Sequence, residues 1–397
     1  VKANHSHYIE RWLAHVRQFA VEIGPRGSTT PEERQASAYC AKVMQGLGLS
    51  PQTEPFTSAR SIYHPHLLAS AMMLIAFAIY PLAGRASAAA AAVLSLLALV
   101  FDLMELSFID NPLRLLVPKG RSQNVIAQIP PRGNHKRDLV LIGHMDSHRT
   151  PIIFSTSRWV AAYQAYTTAA FLLFVLQVAL YGLGAVTQWP WVWPTSIPSA
   201  LCAALLALIC IHADRTPFSA GANDNATGAG MVLTLAEHLQ AEPLQHTRVW
   251  LANTGCEEVQ HYGAIDFFRR HQSQLHNPVT VVFEMLGCEG PSWLIKEGVV
   301  IPFRSDKRLA ALAEKVASEH PEWRARPGMV NGANTEMADA LRAGIPAITI
   351  MGMGPTFDTS YWHQVGDTYD KMDTEAMARS YAFTWAYLQA IDGMEML

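Results

Sequence analysis

Asp138-Leu139-Val140-Leu141-Ile142-Gly143-His144-Met145-Asp146-Ser147 is the stretch from which the fold is read. Its aliphatic run, closed by a glycine, has the length of a strand buried on both faces. Strands of that kind belong to sheets covered by helices on both sides. This one ends in His-x-Asp, and open α/β sheets place their ligand sites beyond the carboxyl ends of strands. His144 is therefore expected to point into a site, with Asp146 close enough to hydrogen-bond the ring and fix its orientation.

Working outward, the same pattern recurs. Asn124–Ile129, Arg248–Asn253, Val279–Met285, Trp293–Lys296 and Ile345–Met351 read as further strands. Helical patterns are expected at residues 6–23, 31–46, 228–240, 262–272, 306–318, 335–343 and 374–391. The second starts at Thr30-Pro31-Glu32-Glu33, a capping-box pair with proline at the first helical position. The alternation predicts an α/β fold: a mixed, mostly parallel sheet flanked by helices.

Two stretches break that rhythm. The chain is 50% hydrophobic and 16% charged, against about 25% charged in soluble domains. The deficit is local, since the 55 residues between Arg158 and Asp214 hold no Asp, Glu, Lys or Arg. None occurs between Arg60 and Arg85 or between Arg85 and Asp102 either. His66–Gly84 with Ala86–Met104, and Trp159–Gly182 with Trp193–His212, have the roughly 20-residue length that crosses a bilayer. Trp189, Trp191 and Trp193 in the second connector suit a membrane interface. The expected organisation is catalytic-domain sequence at 1–59, a transmembrane hairpin at 60–107, catalytic-domain sequence at 108–154, a second hairpin at 155–215, and catalytic-domain sequence at 216–397. Both hairpins must return the chain to one side, giving four spans through the lipid bilayer. Arg60, Arg114, Lys119, Arg121, Arg149, Arg158 and Arg215 flank the catalytic side, whereas Arg85 alone lies at the far tips. By the positive-inside rule the catalytic domain of this integral membrane protein is expected to be cytoplasmic.

A formal net charge of −3, without a Lys/Arg stripe, argues against a nucleic-acid partner. The five cysteines are odd in number and irregular in spacing, so no disulfide framework is expected. No basic, apolar, small-residue leader pattern is visible at the N-terminus.

Chemistry-bearing residues gather at the strand ends. In Gly221-Ala222-Asn223-Asp224-Asn225-Ala226-Thr227-Gly228, Asp224 stands among small residues at the mouth of a helix, open to close approach. Strand 248–253 leads to Glu257-Glu258, adjacent acids that diverge, so that one can bind metal while the other moves a proton. Glu284 interrupts an apolar strand, where an unpaired carboxylate would cost several kcal/mol, roughly, without a cation. Tyr361-Trp362-His363 supplies a second histidine, with Asp367 beyond it. Two histidines and several carboxylates form a nitrogen/oxygen donor set suited to zinc-like ions.

In the order His-x-Asp, Gly-Ala-x-Asp, Glu-Glu, acid, His, the chain resembles the zinc exopeptidases with two co-catalytic metals, the bridged di-zinc aminopeptidase and glutamate carboxypeptidase group. The resemblance covers most of the chain outside the hairpins. It extends to Ile23-Gly24-Pro25-Arg26 and to the closing Asp367-Thr368-Tyr369-Asp370-Lys371-Met372-Asp373. It implies two Zn2+ ions, the second site open to another divalent metal, bridged by Asp224 with a cis peptide to Asn225. Glu258 and His363 would complete one shell, and His144 and Glu284 the other. Glu257 would be the general base, Asp146 would orient His144, and Tyr361 would stabilise an oxyanion. The group usually carries Asp where this chain has Glu284, which bears on metal preference.

The implied activity is hydrolysis of peptide substrates, with aminopeptidase action expected first. The alternatives are a single-zinc acyltransferase that cyclises glutaminyl N-termini on the same scaffold, and a non-catalytic membrane receptor. Asn334-Thr335-Glu336-Met337 and the loop 352–360 are expected to line the cleft. Glu336 reads first as a surface helix start, and second as a receiver for a free α-amine.

Overall fold

The computed structural model describes residues 5–354 and 360–394. The chain divides into two compact units. The first comprises the sequence up to Ser58, Lys119–Arg149 and the sequence from Pro217 onward; the second comprises Ala59–Pro118 and Thr150–Thr216.

The first unit is built on one eight-stranded sheet. In chain order its strands are β1 (Gln52–Ala59), β2 (Lys119–Ile129), β3 (Arg137–His144), β4 (Thr247–Thr254), β5 (Val279–Glu284), β6 (Pro291–Lys296), β7 (Arg326–Met329) and β8 (Ala347–Gly352). They lie in the order β1-β2-β4-β3-β5-β8-β6-β7. β4, β3, β5 and β8 run parallel through the centre, while β2 on β4 and β6 on β8 are antiparallel. The sheet is thus mixed and mostly parallel, as expected. The central strands are aliphatic along their whole length because both faces are covered. Val125, Leu139, Leu141, Val281 and Ile350 bury into one core, and Ile126, Val140, Ile142, Val282 and Ala347 into the other.

Parallel pairing fixes where the strands stop. His144 lies opposite Thr254, and Glu284 opposite Met351, so β3, β4, β5 and β8 end on one edge. Helix Thr227–Ala241 starts at that edge and crosses one face. The helix expected at 228–240 is no half-exposed one: Thr227–Ala236 is buried all round. Helix Ser6–Arg17 covers its outer side, where the Trp12 indole donates to the Thr227 carbonyl at 2.8 Å. Gly143 lets the helix approach, since a Cβ there would lie 2.5 Å from the carbonyl carbon of Gly228.

β1 and β7 are absent from the sequence reading. They are the two sheet edges, and they carry Pro55 and Pro327, residues that edge strands tolerate and central strands do not. The capping box at Thr30 forms by half. Thr30 Oγ1 accepts from the Glu33 amide at 3.2 Å, but the Glu33 carboxylate turns to the Thr29 amide, at 2.7 Å.

The second unit is a bundle of four helices, Tyr63–Ile79, Arg85–Leu106, Ser157–Thr187 and Ile197–Arg215. The run read as His66–Gly84 forms a helix of only 17 residues, halted before Pro81, with Gly84 at φ +59°. At 1.5 Å per residue it spans about 25 Å, short of a hydrocarbon core of about 30 Å. Among the described residues three helices, not four, are by themselves long and apolar enough to cross a membrane. The unit also continues past residue 107 to Pro118, because Arg114 turns back onto Glu105 at 2.8 Å.

Small side chains line the bundle's interior: Ala76, Ala91, Ala98, Ala170 and Ala203 are buried. Large apolar ones face outward, with Leu172, Leu201 and Leu208 each more than 60% exposed. Charged and imidazole groups collect where the chain enters and leaves, in the pairs His64–Asp214 (3.1 Å) and His66–Asp102 (2.7 Å).

Candidate metal centre

His144 and Glu284 close β3 and β5, Glu257 and Glu258 follow β4, and Asp224 and His363 come from loops, with several neighbouring residues in turns that few side chains favour. Cys256, Met285, Tyr361 and His363 all have φ between +50° and +64°. A non-glycine residue in that region costs roughly 1–2 kcal/mol, and such positions concentrate at functional sites.

Asp224 is the centre of the cluster. Its Oδ1 lies 3.5 Å from His144 Nε2, and its Oδ2 lies 3.5 Å from His363 Nε2. His144 Nε2 also faces Glu284 Oε2 at 3.6 Å and Glu257 Oε2 at 3.7 Å. His363 Nε2 faces Glu258 Oε2 at 3.2 Å. The structure thus brings His144, Asp224, Glu257, Glu258, Glu284 and His363 together. The Asp224–Asn225 peptide is cis.

Several groups hold these residues from behind by gripping backbone. Asp146 accepts the amides of Glu257 and Glu258 at 3.1 and 3.2 Å, and the Ser28 hydroxyl at 2.6 Å. The His144 Nδ1 lies 3.2 Å from the Asp146 carbonyl and 3.4 Å from its carboxylate. Asp367 accepts the amides of Asn223 and Asp224 at 2.6 and 3.0 Å. Arg26, fully buried, donates to the carbonyls of Met145 and Gly221 at 2.7 and 2.6 Å. Glu33 accepts the Cys256 amide at 2.9 Å, next to Glu257.

The donor set fits divalent cations. Donors around a tetrahedral ion with bonds of 2.0–2.1 Å lie about 3.3 Å apart, close to the spacings above. One oxygen each of Glu258 and Glu284 is buried with no hydrogen-bond partner among the described residues. Burial, reinforced by Asp224 and Glu257, pushes the Glu258 carboxyl well above the ordinary range. Burial raises Glu284 to about 7, against the pull of His144. So many buried acids around two imidazoles need positive charge, and cations would supply it. His144, Asp224 and Glu284 form one group able to hold an ion, and His148, Glu258 and His363 another.

Some placements differ from the sequence reading. Glu336 is no surface helix start: it is 0% exposed, and neither carboxylate oxygen has a hydrogen-bond partner among the described residues. Burial pushes it to about 8, with His144 lowering and Glu257 raising it. Tyr361 shares the His363 loop, with its ring over Gly366. Of the loop 352–360, residues 355–359 lie outside the described residues. All five cysteines are free thiols.

Three residues escaped the sequence reading. His261 Nε2 lies 3.1 Å from Glu257 Oε1, while its Nδ1 lies 2.6 Å from Asp339 Oδ2. Its spacing of four from Glu257 was the available signal. His148, four residues after His144, stacks on His363 with ring centroids 3.6 Å apart.

Among solved structures, this fold is shared by zinc exopeptidases and glutaminyl cyclases. A leucine aminopeptidase precursor from Bacteroides thetaiotaomicron superposes with a TM-score of 0.57 at 13% identity, covering 98% of this chain and 97% of that one. Glutaminyl cyclase from Tannerella forsythia gives 0.57 at 11% identity, covering 96% and 98%. A zinc aminopeptidase from Bacillus subtilis gives 0.56 at 12% identity, covering 96% and 94%. At the level of sequence, the model of Peptidase family M28 matches residues 200–388. That segment contains Asp224, Glu257, Glu258, Glu284 and His363 and begins after His144. No curated protein matches the chain by sequence.

Proposed function

We propose that this protein is a membrane-anchored, zinc-dependent exopeptidase, with aminopeptidase action as its first activity. The observation that carries the reading is Asp224, which turns one oxygen to each of two histidines 3.5 Å away, as a carboxylate bridging two ions must. Similarity to Peptidase family M28 over residues 200–388 supports it. His144 and Glu284 would hold one ion, Glu258 and His363 the other, and Asp224 both. Bound there, the ions supply Lewis acidity, which lowers the pKa of a water towards neutrality and polarises the scissile carbonyl.

The rest falls to the chain. Glu257 turns Oε2 toward the cluster while His261 holds Oε1. Glu257 Oε2 accepts a proton from the attacking water and returns it to the leaving amine. Asp146 holds the Glu257 and Glu258 amides and orients His144. Tyr361, in the His363 loop, is assigned to the oxyanion. The test is Glu257→Gln, expected to keep its zinc while losing about 10²–10⁴-fold in peptide hydrolysis. Full activity in that variant would refute the assignment. The glutaminyl cyclase likeness supports a second reading, cyclisation of N-terminal Gln. Peptides with free N-terminal Gln, run beside N-blocked and C-blocked peptides, separate the two reactions.

Membrane anchoring rests on the second unit. Small residues inside and large apolar residues outside suit a bundle solvated by lipid rather than water. Each insertion leaves and re-enters the α/β unit, so its crossings are even in number, and Tyr63–Ile79, about 25 Å long, is assigned as the fourth span, with the bilayer thinned locally to match it. The charge bias of the flanks assigns the catalytic unit to the cytoplasm. Retention in alkali-washed membranes and digestion of the catalytic unit only after the cytoplasmic face is opened are the expected results. Release by alkali would refute the anchoring.

A further inference from the structure

Deepening that metal-dependent reading, we infer that His148 is a direct ligand, closing the shell formed by Asp224, Glu258 and His363. One nitrogen or oxygen from each of His148, Glu258 and His363 lies within 4.8 Å of the others. Such a triad is by itself only an opportunity, and three further observations aim His148 at it.

The first is its tautomer. His148 Nδ1 lies 2.6 Å from the Arg149 carbonyl, which can only accept. Nδ1 therefore carries the proton, and Nε2 keeps the lone pair. Metal-binding histidines are prepared in this way, the far nitrogen being tied to a carbonyl or carboxylate. The second is ring placement. The His148 and His363 rings are nearly parallel, 14° apart, with centroids separated by 3.6 Å. The stack fixes the two rings side by side, so that His148 stands beside the Glu258 carboxylate that His363 also faces. The third is rigidity. The Ser219 amide donates to the His148 carbonyl at 2.9 Å, Arg149 pairs with Phe218 as an isolated antiparallel bridge, and the Arg149 guanidinium lies 4.3 Å over the Phe218 ring. On the other side the Ser147 amide donates to the Arg26 carbonyl at 3.2 Å, so the segment is pinned on both sides of the histidine, as a ligand's support requires.

The two shells then differ. One has four protein ligands, Asp224, Glu258, His363 and His148; the other has three, His144, Asp224 and Glu284. Zinc sites closed by four protein ligands hold their ion as structure, and three-ligand sites keep a place for water or substrate. The ion on the His363 side is therefore the resident one, and that on the His144 side the exchangeable one.

The bland alternative is that His148 merely supports His363 by stacking. His148→Phe separates the two, since it keeps an aromatic ring and removes the donor. The full-length protein in detergent would be loaded with zinc, titrated with a competing chelator, and its metal counted by mass spectrometry. Cobalt-loaded samples would report coordination through their visible absorption. The wild type is expected to hold two ions, one more tightly. His148→Phe is expected to weaken the tighter one by at least about 10–100-fold and to alter its cobalt spectrum. The melting temperature of the metal-free protein should stay unchanged. In His148→Ala, added imidazole should restore binding, which also serves if the phenylalanine variant folds poorly. Two ions held by His148→Phe with wild-type affinity and spectrum would overturn the ligand role and leave the exopeptidase reading standing. A wild type that binds no zinc would overturn both. A wild type that binds one ion, loosened by His148→Phe, keeps the ligand assignment and removes the second ion from the reading above.

Discussion

Replacing His261 tests how the general-base candidate is held. His261 lies between two acids, with Nε2 3.1 Å from Glu257 Oε1 and Nδ1 2.6 Å from Asp339 Oδ2. Both nitrogens face carboxylates, so both carry protons. Burial opposes the charged ring, but Asp339 and Glu257 outweigh it and raise its pKa well above 6.5. His261→Leu leaves two buried carboxylate oxygens without their shared cation, a loss of about 3–5 kcal/mol when one partner of a buried pair is removed. His261→Gln can still donate to Glu257 and should lose about 1–3 kcal/mol. A group whose folded pKa is raised contributes fully below its unfolded value, here 6.5, and loses that contribution as pH rises through the folded value. Thermal melts of wild type and His261→Leu should therefore differ most in mildly acidic buffer and converge on the alkaline side. Freed from His261, Glu257 Oε1 can swing, and misplacement of a catalytic group by about 1 Å costs on the order of 10²-fold. That loss should fall on kcat, with KM and zinc content unchanged. A kcat equal to wild type at saturating substrate would show that His261 supports the fold alone.

Further outcomes follow from the same geometry. Removing zinc with a chelator should lower the melting temperature and zinc should restore it; at 100 times its Kd a ligand contributes about 2.7 kcal/mol, so an unchanged melt would contradict a folded-state metal site. Gly143→Ala would place a Cβ 2.5 Å from the Gly228 carbonyl and 2.8 Å from the Ala229 amide nitrogen. Backbone cannot yield as a side chain can, so a loss of about 1–3 kcal/mol or more is expected in denaturant melts, with weaker zinc binding through the adjoining His144. Glu297 is buried, with Oε2 accepting the Thr335 hydroxyl at 2.8 Å, and burial raises its pKa from 4.5 to about 8. The folded chain thus binds the extra proton between those values, and stability should fall as pH climbs through that window. Glu297→Gln should flatten that slope; a slope as steep as in wild type would refute the assignment.

The sequence exposed the fold where burial is two-sided and hid it where burial is partial. β3, β4, β5 and β8 are nearly pure aliphatic runs because helices cover both faces, so their period and length decide the reading. β1 and β7 are edges, where Glu54, Pro55, Pro327 and Gly328 are permitted because half of the hydrogen bonds need no partner. Tyr63–Ile79 was overextended because an apolar run does not by itself announce the stop at Pro81. The site divides along a similar line. Residues that follow a strand directly were visible from their positions. His261 had only its spacing of four from Glu257 to mark it, and Asp339 had nothing, since their pairing joins segments 78 positions apart.

Carboxylates in the site fall into two groups by what their oxygens touch, and the difference separates scaffold from chemistry. Asp146, Asp367 and Glu33 have both oxygens engaged by amides or hydroxyls, and each grips backbone beside a candidate ligand. Those acids set loop geometry. Glu258, Glu284 and Glu336 each keep at least one buried oxygen without a hydrogen-bond partner among the described residues. An orphaned buried oxygen costs about 1–3 kcal/mol or more when charged, which folding alone gives no reason to retain. For Glu258 and Glu284 the proposed ions answer that cost. Glu336 belongs to neither proposed shell, yet it feels both His144 and Glu257. Glu336 is 0% exposed, with no surface for a substrate to touch, and burial raises its carboxyl to about 8. Glu336→Gln keeps the shape and removes the charge, so it should leave zinc content unchanged and lessen the fall of stability between 4.5 and 8. Loss of a zinc ion in that variant would make Glu336 a ligand and overturn its exclusion from both shells.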